Sequence, residues 1–145
     1  IAEKNATVAT FEDLSGGSVA SAIQKAAGSA FLQSSIVNSN EALEKIARSG
    51  GETPPFSDGA ERAAALARAI KKTTGATYGI AVHGTEEGDQ RTENLGRGET
   101  YIVVSGPNGD RIRHVRSAGR GGPDRQRAAM AALSLFRREL LGIPE

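Results

Sequence analysis

The residues of this chain able to do chemistry are few, and they fall in four places. Ser15-Gly16-Gly17-Ser18 follows an apolar run and precedes a helical pattern. Unpaired N–H groups and the positive end of the dipole at a helix start can hold a phosphate or a carboxylate, and glycines let such a ligand approach. The plainer reading of the same turn is a tight connection in which Ser15 or Ser18 caps the helix. The second place is the polar stretch from Gly84 to Gly98, whose Glu86, Glu87 and Asp89 could bind a cation or act as bases, or could simply be solvated. His83 stands just before it, either as a proton shuttle near neutral pH or as a hydrogen-bonded residue at a strand end. The fourth is the segment 110–127, where six arginines against two aspartates give a local charge of +4. Arg111 and Arg113 share one strand face by alternation, and Arg125 opens a helix, so an anionic ligand or a solvated edge strand are the two readings there. His114, in mid-strand, reads as structural.

Composition removes whole classes. The chain has 145 residues, 38% hydrophobic and 24% charged, which suits one globular domain. It has no cysteine, so thiol nucleophiles, disulfides and thiolate metal sites are out, and two histidines without suitably spaced carboxylates make no zinc site. A net charge of +1 and 4% aromatic residues disfavour nucleic acid as a partner. No apolar run approaches the roughly 20 residues needed to span a bilayer, and a cytoplasmic protein without a cofactor is the expectation.

The elements that must position these residues can be read from periodicity. A short β-prone run at 6–11 leads through the glycine turn to a helix over 19–27, which Gly28-Ser29 closes. A second strand is predicted over 30–37, then a helix opened by Ser39-Asn40-Glu41 with Leu43, Ile46 and Ala47 inward. Ser57 or Asp58 caps a longer helix running to about Thr73, with Ala63, Leu66, Ala67 and Ile70 on one face and Gly75 past its end. Residues 77–82 read as a buried strand, 100–105 and 111–117 as a hairpin about Gly106-Pro107-Asn108-Gly109, and 124–141 as the last helix. Helices alternating with strands, plus one hairpin, predict an α/β fold: a three-layer α/β/α sandwich on a mixed, largely parallel sheet, as one domain spanning 1–145.

The pattern as a whole resembles the C-terminal domain of the competence/damage-inducible CinA proteins, a family that also occurs as nicotinamide-nucleotide amidohydrolase. The family's Glu-Ser-Cys-Thr-Gly-Gly turn is matched by Glu12-Asp13-Leu14-Ser15-Gly16-Gly17, and its Gly-Ser-Ser element by Gly28-Ser29-Ala30. Its Tyr-Ser-Asn-Glu-Ala-Lys motif is matched by Asn38-Ser39-Asn40-Glu41-Ala42-Leu43. A strand ending in Gly84, the Arg97-Gly98 pair before the next strand, and Arg125 at the start of an alanine-rich helix complete the match; the resemblance places Ile1–Lys4 in the family's usual N-terminal helix.

The resemblance implies hydrolysis of the carboxamide of nicotinamide mononucleotide to nicotinate mononucleotide and ammonia by a homo-oligomer. It makes Ser29 the counterpart of the nucleophile, and Ser15, Gly16, Gly17, Ser39, Asn40, Gly84 and Arg125 the retained binding positions. The departures fall on the proton-handling groups: Asn38 replaces the tyrosine and Leu43 the lysine, while Asp13 replaces the serine of the first turn. The expectation is therefore a preserved scaffold with altered or lost catalysis that binds a small molecule, such as a pyridine nucleotide, or a partner. The alternative is an active amidohydrolase.

Overall fold

The computed structural model describes residues 6–13, 17–37, 39–86, 98–115 and 122–143, with the backbone alone at 85, 86, 98 and 122–125. The described residues form β1 (Val8–Glu12), α1 (Ser18–Ala27), β2 (Phe31–Ile36), α2 (Asn40–Ser49), α3 (Gly59–Thr74), β3 (Tyr78–Glu86), β4 (Gly98–Gly106), β5 (Gly109–Val115) and α4 (Gly122–Leu141), with one 3-10 turn at Gly28–Ala30. The sheet has the order β2-β1-β3-β4-β5. β1 pairs in parallel with β2 and β3, whereas β4 is antiparallel to both β3 and β5. Four strands thus run one way and β4 the other, as the alternation of helices and a single hairpin predicts.

Period-two alternation sends the strand residues to two cores. Val8, Ile80, Val82, Ile102 and Val104 pack with Val19 and Ile23 of α1 and with Ala132, Leu135 and Phe136 of α4. On the opposite face, Phe11, Ala81 and Val103 pack with Leu43 and Ala47 of α2 and with Ala63, Leu66 and Ala67 of α3. The result is three layers, α1 and α4 over one face and α2 and α3 over the other.

Local chemistry sets the ends of the elements. Ser39 Oγ accepts from the Ala42 N–H at 3.2 Å and caps α2, while Asp58 Oδ1 accepts from the Glu61 N–H at 2.8 Å and caps α3. Gly75 closes α3 at a φ of 74°, which glycine adopts without a Cβ clash. Tyr78 meets Phe136 edge-on at 5.4 Å, and its phenol is held above the ordinary value by burial and then by the charge of Glu139.

One expectation changes. The polar stretch beginning at Gly84 is strand for its first three residues, because Gly84, Thr85 and Glu86 pair with Thr100, Glu99 and Gly98. Backbone pairing in a hairpin needs no apolar side chains, so the hydrophobic pattern ended before the ladder did. Glu87, Asp89 and the rest of that stretch up to Arg97 lie outside the described residues.

Gly79 shows how tightly α3 sits on the sheet: a Cβ there would lie 2.1 Å from the Ala67 carbonyl oxygen. Gly79→Ala is expected to lower the unfolding free energy by about 2 kcal/mol or more through overpacking, read from the urea midpoint. An unchanged midpoint would show that α3 can lift without cost.

Candidate functional site

The four described helices begin at the carboxyl end of the parallel strands, because each lies after a strand and runs back along it or, for α3, leads into the next. The chain leaves β1 for β2 on one side and returns to β3 on the other. The carboxyl ends of β1 and β3 therefore flank a topological switch point, where open α/β sheets bind ligands. Two consecutive acidic residues occupy it.

Glu12 is the last residue of β1 and has no exposed surface. Its Oε1 accepts from the N–H groups of Gly17 at 2.9 Å and Val19 at 3.1 Å, and its Oε2 from the Ala20 N–H at 2.7 Å. Gly17, at φ 99°, turns the chain into α1. The carboxylate thus satisfies the helix start from a neighbouring strand, in the place of the serine cap expected from Ser15 or Ser18. Ser18 is instead the first helical residue. The anion-binding donors that the glycine turn promised are directed at the protein's own acid.

Asp13 points to the other face. Its Oδ1 accepts from the Gly84 N–H at 2.9 Å and its Oδ2 lies 2.6 Å from His83 Nδ1. On the far side of the ring, Arg62 Nη1 lies 3.3 Å from His83 Nε2. A guanidinium only donates, so Nε2 accepts and the ring proton sits on Nδ1, facing Asp13. His83 is 3% exposed and engaged through both nitrogens, which is the strand-end role and not that of an open proton shuttle. Tyr101 is its register partner on β4, and His114 the partner of Tyr101 on β5. The Tyr101 and His114 rings stack at 4.8 Å, and His114 bonds to Glu99.

The sequence-derived positions divide between the two ends of the sheet. Gly17, Ser39, Asn40, Gly84 and the α4 start that contains Arg125 lie at the carboxyl end. Ser29 lies in the 3-10 turn before β2, at the amino end, where Phe31 pairs with Val8. The strand length puts it roughly 16 Å from Ser39. Its residue is exposed and its hydroxyl makes no hydrogen bond among the described residues. Ser15, Gly16 and Asn38 lie outside the described residues, as does the Arg125 side chain. Leu43 is 3% exposed, inside the α2/α3 core. Of the arginine-rich segment, Arg111 is taken up by structure, its Nε 2.5 Å from Glu139 Oε1.

Sequence reasoning did not single out Glu12 as a cap, nor Arg62 or Tyr101. A glutamate ending an apolar run just before a glycine turn was a usable signal. Arg62 offered none, being one charge on an amphipathic helix. Among the described residues no group of three or more acidic or histidine side chains could hold a metal ion, and no helix is long and apolar enough to cross a membrane.

The comparisons with known proteins agree with this architecture. A family model described as CinA C-terminal domain matches residues 1–140. A CinA-like protein of Frankia casuarinae is 33% identical over 148 residues, covering 99% of this chain and 34% of the relative. One from Geobacter sulfurreducens is 30% identical over 145 residues, covering 96% and 35%. The chain therefore spans about a third of the length of these curated relatives. In structure, a competence-damaged protein (CinA) superfamily protein from Enterobacter cloacae superposes with a TM-score of 0.75 at 19% identity, covering 95% of this chain and 84% of the other. The competence/damage inducible protein CihA of Agrobacterium tumefaciens gives 0.70 at 21% identity, covering 93% and 86%.

Replacing the charged cap tests the first half of the site. Glu12→Gln keeps the volume but turns an amide NH2 toward backbone donors, and should cost about 2–3 kcal/mol of stability in urea denaturation. A loss below about 0.5 kcal/mol, the range of an ordinary surface change, would mean the three bonds are dispensable.

Proposed function

The chain belongs to the CinA C-terminal domain family, and from that membership we propose that it is a ligand-binding relative of the nicotinamide mononucleotide deamidases. In this reading it keeps the scaffold and has lost the amide hydrolysis. It works in the cytoplasm as a homo-oligomer and takes a pyridine nucleotide or a similar small molecule.

Leu43 carries this reading. The position that the resemblance gives to lysine is here a buried member of the α2/α3 core, and an alkyl side chain can neither take nor return a proton. A serine hydroxyl is a poor nucleophile until a neighbouring base removes its proton. Ser29 keeps the hydroxyl but has no hydrogen-bond partner among the described residues. The groups of such a catalytic unit act together, so one retained member supplies little of the rate.

Calorimetric titration of the purified protein with nicotinamide mononucleotide, run beside an ammonia assay, tests both parts. Saturable heat with no ammonia above the blank is expected. Ammonia release that disappears in Ser29→Ala would restore the active amidohydrolase. Absence of heat at millimolar nucleotide would remove the pyridine nucleotide as ligand.

A further inference from the structure

Arg62 sits where a cation is hard to hold. It is the fourth residue of α3, at the positive end of the helix dipole, where acidic groups are favoured and basic ones are not. The side chain is partly buried, and among the described residues its one polar contact is His83 Nε2. Among the described residues no carboxylate pairs with it. The nearby acids are committed elsewhere: Asp58 caps the helix, Glu61 accepts from Ser57, and Asp13 holds the far nitrogen of the imidazole and the Gly84 N–H. A guanidinium carries five N–H donors, and His83 uses one. The Asp13–His83 pair holds the arginine in place by fixing the tautomer that accepts from it.

Tyr101 supplies a second group on the same face. It is the cross-strand partner of His83, and its phenol makes no hydrogen bond among the described residues. Val37 and Phe56 are likewise partly buried against the α2/α3 core. Among the described residues, the end of this face therefore combines a guanidinium without a carboxylate partner, a phenol without a hydrogen bond and an apolar flank.

We propose that Arg62 and Tyr101 hold the anionic group of a small molecule, a carboxylate or a phosphate monoester, on the α2/α3 side of the carboxyl end of the sheet. The guanidinium offers paired donors to two oxygens of the anion, and the phenol donates to one. Val37 and Phe56 flank the body of the ligand. This site is separate from the glycine turn of α1, whose donors Glu12 already uses. It rests on the reading of the chain as a ligand-binding domain only in part, since any small anion tests it.

Two probes are titrated at constant ionic strength, inorganic phosphate and benzoate, following the Nε–H resonance of Arg62 by NMR. A saturable shift with at least one probe is expected; which probe saturates tells whether the natural group is a phosphate or a carboxylate. Arg62→Gln should weaken binding by about tenfold or more, as loss of a charge-assisted pair does. Tyr101→Phe should weaken it about threefold, as loss of one neutral hydrogen bond does. Arg137→Gln, which removes an exposed arginine in the C-terminal half of α4, should leave it unchanged. Shifts that rise linearly over all arginines, or equal affinity in Arg62→Gln, would overturn the proposal. Should Arg62→Gln fail to fold, Tyr101→Phe decides, because it removes one oxygen and nothing else. Phosphate bound at Arg62 without heat from nicotinamide mononucleotide would keep this site and dismiss the pyridine nucleotide; nucleotide heat without an Arg62 shift would do the reverse.

Discussion

The carboxylate of Glu12 ties the end of the central strand β1 to the start of α1 through three backbone N–H groups. An ionised group removed from water is costly unless its oxygens are satisfied, and a helix start buried against a sheet has the opposite need, donors without acceptors. Each deficit meets the other. The arrangement sets the direction in which α1 leaves β1, and so the face on which Val19 and Ile23 reach the core.

The next residue divides the molecule. Because neighbouring side chains leave a strand on opposite sides, Asp13 faces α3 while Glu12 faces α1. One acid closes the helix start, and the other anchors His83 and the Gly84 N–H. The backbone donors that an open α/β sheet commonly offers to ligand anions are thus used internally. On the α2/α3 face, where we propose that recognition occurs, Arg62 stands at the far side of the imidazole from Asp13. Ser29, retained from the family's pattern, is at the other end of the sheet. The turns and caps of the family's pattern persist here, and Leu43 lies in the core.

Much of the fold was legible because local and tertiary demands coincide. Apolar residues at helical spacing in α3 became its buried face, Ser39 and Asp58 became caps, and Gly75 closed its helix. The third strand was read too short, since Gly84–Glu86 are held by ladder hydrogen bonds and carry no apolar signal. The candidate site was legible only by residue type. Ser39, Asn40 and Gly84 lie at the carboxyl end of the sheet, yet nothing local showed that Ser29 would lie at the other.

By itself the sequence determined the three-layer α/β class, the order of its elements, most of their ends and the family to which the chain belongs. The first three follow from periodicities and capping groups acting over a few residues, and the family from the likeness of its motifs to those of known proteins. Tertiary structure alone decided that Glu12 caps α1, that Asp13 locks His83, and that Arg62 has no carboxylate partner among the described residues. The physical reason is separation along the chain: Asp13 and His83 are 70 residues apart, and Arg62 and His83 are 21. Only the crossing of strands and helices brings such groups within hydrogen-bond distance, where burial makes each partner matter.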